Sequence, residues 1–308
     1  MSGGRSYGSP TAFRSALTAR LKEKAEGGRW TLQQLQRHIA YDRLLERLYL
    51  VDDGWVVKGA TALLARDIGV RETADIDVYR ETAGAIAEAD LREATNRGIG
   101  DWFSFELGSP QPLGDGAGGV RIPVTASIGP TVWASYHVDL VGADLRMTGE
   151  PEDVPPLARV AIPDVEQHGY RAYPLVDHIA DKIAATLQRY GAMEVPSTRY
   201  KDLVDLVAII TEVVVHAEGQ LVALRSELER RGIALPSSFG VPDRELWERG
   251  YAAEAGRSLL TSALTLDEAL AVVRPFIDPL LAGTATGTWD PKAGRWVEDG
   301  IRAASTRR

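Results

Sequence analysis

The sequence contains no cysteine in 308 residues. That excludes disulfides, zinc–thiolate and iron–sulfur sites, and a thiol nucleophile. It also lacks a long hydrophobic run. The longest, residues 203–215, is broken by Asp205, Thr211 and Glu212, whereas a membrane-spanning helix needs about 20 apolar residues. Residues 1–20 carry Arg5, Arg14 and Arg20 and no apolar core, so no secretory leader is read there. A cytoplasmic protein without membrane attachment is expected. There is no Gly-x-Ser-x-Gly elbow, no complete Walker loop and no dinucleotide fingerprint. The five histidines (38, 137, 168, 178 and 216) are not spaced as metal ligands. A net charge of −8 argues against a general nucleic-acid binder.

What is present is a globular composition, 44% hydrophobic and 25% charged. No internal repeat or low-complexity tract is found. Arg5, Arg14, Arg20, Lys22, Lys24, Arg29, Arg37, Arg43 and Arg47 face only Glu23, Glu26, Asp42 and Glu46 within the first fifty residues. Such a segment could touch phosphates locally, or it could be two solvated amphipathic helices.

The pattern predicts helices over Phe13–Ala25 and Thr31–Leu48, the second with Thr31 as N-cap. A short strand Trp55–Val57 leads to a helix over Ala60–Ile68. Ala74–Tyr79 alternates apolar and acidic residues, as a half-buried strand does. A helix over Thr82–Asn96 precedes strands at Asp101–Leu107, Val120–Ile128 and Val132–Val141. These strands are separated by Gly/Pro-rich turns. Residues 142–163 read as loop. From residue 175 the chain is almost all helix, with a polar tail holding Trp289 and Trp296. The expected fold is mixed α/β (α+β). Its domains are residues 1–145, N-terminal helices plus a small mixed sheet, and residues 146–308, mainly helical.

Chemistry concentrates in Lys58-Gly59-Ala60-Thr61 and in Arg71-x-Thr73-x-Asp75-Ile76-Asp77. A strand ending in a small-residue turn before a helix offers backbone amides to phosphate. Asp75 and Asp77, two apart on a strand, leave the same face. Two carboxylates so close repel, unless a cation or a proton intervenes. Magnesium suits an all-oxygen site beside a triphosphate. In Tyr136-His137-Val138-Asp139-Leu140, His137 and Asp139 share a face. If this strand lies beside the Asp75 strand, Asp139 completes a three-carboxylate set able to serve phosphoryl transfer. Each acid alone reads equally as a solvated strand residue. In the helical half, Lys182 and the run Lys201-Asp202-Leu203-Val204-Asp205-Leu206 stand out. A lysine aimed at the acids would bind triphosphate as a point charge. Asp205 falls on an otherwise apolar helix, and an acid beside buried surface has a structural or a catalytic reason. Arg66, Arg71 and Arg80 could guide a nucleic-acid backbone. Thr73 stands two residues before Asp75, where a phosphate would add negative charge beside the acids and repel NTP.

Taken in this order, these motifs resemble the AbiEii/AbiGii nucleotidyltransferase toxin family, and within it the mycobacterial MenT toxins. The likeness covers roughly residues 10–215. It implies a polymerase-β-like nucleotidyltransferase core with a helical C-terminal half. It implies a toxin of a toxin–antitoxin pair that transfers NMP from NTP to the 3′ end of tRNA and so blocks aminoacylation. Carried onto this chain, Asp75, Asp77 and Asp139 would hold Mg2+, with Mn2+ as the substitute ion. Lys58, Gly59, Ala60, Thr61, Arg71, Thr73 and Lys182 would bind the nucleotide. Asp205 would be a second catalytic acid, and the tRNA acceptor stem and a cognate antitoxin would be the partners. Ala60 stands where the family usually has a second glycine, and Thr61 where serine is common. The rival readings are a nucleotidyltransferase acting on a protein or an antibiotic, an inactive binding module, and a purely structural protein.

Overall fold

The computed structural model describes residues 7–113, 119–141 and 145–298. It forms two compact units. The first comprises Met1–Arg66, Glu72–Arg146 and Pro151–Ala172, and the second Asp67–Arg71, Met147–Glu150 and Tyr173–Arg308.

In the first unit, α1 (Pro10–Glu26) and α2 (Leu32–Val51) precede β1 (Val56–Val57), α3 (Gly59–Ala65) and β2 (Asp75–Tyr79). There follow α4 (Gly84–Asn96), β3 (Phe103–Leu107), β4 (Gln111–Pro112), β5 (Gly119–Ile128), β6 (Thr131–Val141), β7 (Glu152–Val154) and β8 (Tyr170–Ala172). The start of α2 is fixed as its sequence predicts. The Thr31 hydroxyl accepts from the Gln34 amide, and the Gln34 side chain accepts from the Thr31 amide.

The sheet runs β3-β5-β6-β2-β1-β8-β7, with β4 also paired to β5. It is mixed, because β2 and β6 are parallel, β1 and β8 are parallel, and the other pairs are antiparallel. One face packs on the helices. Ile76, Val78, Ile122, Val124, Val138 and Leu140 share a core with Ile39, Tyr41, Leu44 and Leu48 of α2, Leu91 of α4, and Trp55. Strand β7 lies in a segment that reads as loop, and β8 follows shortly after it. Each is three residues long, too short to show a period.

The expected basic surface of the N-terminal helices is partly interior. The Arg43 and Arg47 side chains are buried on Asp101, with N···O distances of 2.7 and 2.6 Å. Lys24 donates to the Ala158 carbonyl at 2.6 Å. These cations tie the helices to the fold rather than lining an RNA track. Arg66 pairs with Glu152, Arg80 with Asp52 and Asp90, and Arg71 with Asp205, so all three proposed guides are engaged within the chain.

The second unit contains α5 (Leu175–Leu187), β9 (Arg189–Tyr190), β10 (Val195–Pro196), α6 (Tyr200–Glu212), α7 (Ala217–Arg230), α8 (Arg244–Ala255), α9 (Leu266–Leu281), β11 (Thr288–Asp290) and β12 (Arg295–Val297). The polar tail expected beyond residue 283 is in part a hairpin, β11–β12, where Trp289 and Trp296 pack on Phe276. Two earlier segments are stitched into this unit. The Val70 carbonyl accepts from the Leu259 amide at 2.6 Å. The Asp177 carboxylate accepts from the Thr148 and Gly149 amides. Among the described residues, no helix is long and apolar enough to cross a membrane.

Candidate active site

The first unit gathers the strand acids. Asp75 and Asp77 lie two apart on β2, and the parallel pairing of β2 with β6 sets Asp75 beside His137 and Asp77 beside Asp139. Period-2 alternation then sends Asp75, Asp77, His137 and Asp139 to one face and Ile76, Val78 and Val138 to the core. The three acids predicted to converge therefore share one face of two neighbouring strands.

The turn before α3 closes on this face. Gly59 has φ +58°, and a Cβ there would come within 1.9 Å of Asp77 Oδ2. Glycine is thus needed both for the backbone and for the approach of the carboxylate. The Lys58 amide donates to the Asp77 carbonyl at 2.8 Å, which locks the turn to the strand.

Two hydroxyls expected at the nucleotide are used otherwise. Thr61 is fully buried, and its Oγ1 donates to the Asp75 carbonyl at 3.2 Å. Thr73 Oγ1 donates to the same carbonyl at 3.0 Å and lies 3.3 Å from the Asp75 amide. Both threonines pin the start of β2, and the Thr61 hydroxyl is not exposed to a phosphate.

A residue without any expected role completes the face. Arg121 stands opposite Asp139 in the β5–β6 ladder. Its Nε donates to Asp139 Oδ1 at 2.8 Å and its Nη2 to Asp139 Oδ2 at 2.7 Å. Nη2 also reaches Asp75 Oδ2 at 3.2 Å. The hydrogen bonds to Asp139 raise the Arg121 pKa further above its ordinary value, reinforced by the charges of Asp139, Asp75 and Asp77. His137 Nδ1 lies 3.1 Å from Asp75 Oδ1.

The donor set suits a hard divalent cation, being all carboxylate oxygen. The posture is another matter. Among the described residues, no three His, Asp or Glu side chains stand close enough together to hold a metal ion. Arg121 is bonded to the oxygens that such an ion would use. Asp75, Asp77 and Asp139 fit a metal in kind, as carboxylates on one face of neighbouring strands.

The second unit holds its own charged cluster. Lys182 on α5 donates to Asp202 Oδ1 at 2.9 Å and to Asp205 Oδ2 at 2.7 Å, both on α6. Arg71 forks onto Asp205 at 2.9 and 2.8 Å, so the guanidinium expected at the nucleotide is committed to this acid. Arg199 bonds Asp202 at 2.7 Å. The side chains of Lys182, Asp202 and Asp205 are no more than 5% exposed. Burial pushes the Asp202 carboxyl up, but the charges of Lys182 and Arg199 outweigh it and hold the group at about 2. Burial lowers Lys182, and Asp202 and Asp205 more than restore it, leaving it above its ordinary value. Lys182 is therefore a fixed ammonium.

Nothing local in the sequence marks Arg121. Its only signal is alternation along β5, where Arg121 lies out of phase with Val120, Ile122 and Val124.

No curated protein matches the chain. Among solved structures, the chain is similar to MenT4, a nucleotidyltransferase toxin of Mycobacterium tuberculosis H37Rv, at 18% identity and a TM-score of 0.48 over 87% of this chain and 98% of that one. It is also similar to JHP933 of Helicobacter pylori, at 17% identity and a TM-score of 0.44 over 80% of this chain and 94% of that one. The model of one protein family, the nucleotidyl transferase AbiEii toxin of type IV toxin–antitoxin systems, matches residues 43–282. That span includes every acid and cation of the two clusters described above, and the chain belongs to this family of nucleotidyltransferase toxins.

Proposed function

We propose that this toxin transfers a nucleoside monophosphate from an NTP to the 3′ end of tRNA with the aid of Mg2+, and that a cognate antitoxin restrains it. The observation that carries the reading is the shared face of Asp75, Asp77 and Asp139, closed on one side by the Gly59 turn. Carboxylates in this arrangement would hold a divalent cation, which supplies charge neutralisation at the α-phosphate and a lowered pKa at the attacking hydroxyl. Asp75, Asp77 and Asp139 are set on one face by the pairing of β2 with β6, so the backbone rather than the ligand places them. By resemblance, the Gly59–Ala60 backbone amides would meet the triphosphate. Lys182 is held as an ammonium by Asp202 and Asp205 within the second unit, and a role at the triphosphate is carried for it by the family resemblance alone. The 3′-hydroxyl gives up its proton to solvent and its oxygen bonds to the α-phosphorus as the bond to the oxygen bridging to the β-phosphate breaks, and pyrophosphate leaves.

The test is incubation of the full chain with each α-labelled NTP, total tRNA and Mg2+. Label on tRNA that disappears with Asp77→Asn supports the reading. Label on lysate protein or on a small molecule instead moves the activity to that acceptor. Absence of any labelled product, with antitoxin removed, overturns it.

A further inference from the structure

Arg121 reaches across the acidic face from the more open side. Its side chain is 38% exposed, whereas that of Asp139 is 8% exposed. Its fork takes both Asp139 oxygens and one oxygen of Asp75. Asp75 carries His137 on its other oxygen. Three carboxylates on one face repel, and a cation among them offsets that repulsion. The lone pairs bonded by Arg121 are those a hard divalent cation would take, and the two positive groups also repel each other. A guanidinium forked onto these oxygens therefore competes with a divalent ion for them.

We infer that Arg121 is the resident counter-ion of this face, and that its fork must leave Asp139 and Asp75 before a divalent cation is held there. This rests on the reading that the three acids take a metal ion. Arg121 therefore sets the metal requirement. It keeps the metal-free acids from forcing the strands apart, and it makes metal binding a displacement rather than a simple addition. The exposure of its side chain leaves room for it to swing toward solvent, while Asp139 stays fixed by the strand.

Mn2+ binding to the full chain without nucleotide, followed by electron paramagnetic resonance or calorimetry, reads this directly. Arg121→Gln removes the competing charge and should bind Mn2+ about tenfold tighter than the wild type. Arg121→Lys keeps the charge but loses the fork, and should bind about two- to threefold tighter. Metal-free Arg121→Gln should melt at a lower temperature, and Mn2+ should raise its Tm by more than it raises that of the wild type. Circular dichroism confirms folding, and should Arg121→Gln fail to fold, Arg121→Lys decides alone. Equal or weaker Mn2+ binding by the Arg121 variants, with wild-type binding still abolished by Asp77→Asn, overturns the counter-ion role and leaves the metal site standing. Absence of Mn2+ binding in every protein overturns both.

Discussion

The sheet of the first unit and the paired helices of the second each set carboxylates against basic side chains, but the sheet face is the more open of the two. On the sheet, Arg121 and Asp75 are each about a third exposed. On α5 and α6, Lys182, Asp202 and Asp205 are sealed. Water can take over from Arg121 when it leaves. It cannot take over from Asp205, because a buried ion without its partner bears the full loss of hydration. The exposed pairs are therefore exchangeable and suited to a ligand that comes and goes. The buried pairs are part of the fold as well as of any chemistry they serve.

This contrast predicts a ranking of effects. Asp205→Ala removes one of the two carboxylates on Lys182 and the fork on Arg71, and should cost about 3 kcal/mol in urea unfolding. A loss below about 1 kcal/mol would place the helical cluster in the same class as the sheet face. Next, Gly59→Ala puts a methyl group against Asp77 at a positive φ, and should cost about 3 kcal/mol together with nucleotidyl transfer. The stability loss should shrink in an Asp77→Gly background, where only the backbone strain remains.

Acid sharpens the comparison further. Asp202 sits at about 2, below the ordinary carboxylate value of 3.8. Its ionised form therefore stabilises the fold above that ordinary value, and the contribution, about 2 kcal/mol, fades as pH falls through about 2. Asp42 in the first unit behaves in reverse. Burial raises it to about 6, despite hydrogen bonds from Tyr170, Ala158 and Leu157. Its contribution is complete at low pH and declines as pH rises through about 6. Urea unfolding from pH 2 to 7 should show the gap between wild type and Asp202→Asn narrowing below about pH 4. The smallest effect belongs to the open face, where Asp77→Asn should change stability by less than about 1 kcal/mol while abolishing transfer.

The acids were legible in the sequence because alternation on a strand is a rigid geometric fact. Asp75, Asp77 and Asp139 needed only the guess that β2 and β6 are neighbours. The basic partner was not legible, and the reason is a bulge. Near the turn, Ser127 faces Val132, but Ala126 faces Ala134, which leaves Trp133 as the extra residue of β6. Continued without that irregularity, the turn register would set Arg121 opposite Val138. One residue of slip brings it opposite Asp139 instead. The roles of Thr61 and Thr73 escaped for another reason. A hydroxyl beside a helix start can turn inward or outward, and the choice depends on a carbonyl fourteen residues away for Thr61 and on a local turn for Thr73. Arg71 and Lys182 stand out in the sequence, but they meet on Asp205, and the Arg71 arm of that meeting joins positions 134 residues apart.

The contact between Gly59 and Asp77 reaches beyond this single molecule. Each position is the other's boundary condition, since the carboxylate fills the space that a side chain at 59 would claim. The two sites can therefore drift only in a fixed order, the acid first and the glycine after it. A descendant carrying a bulky residue at 59 would record in its sequence that the acid had already gone silent.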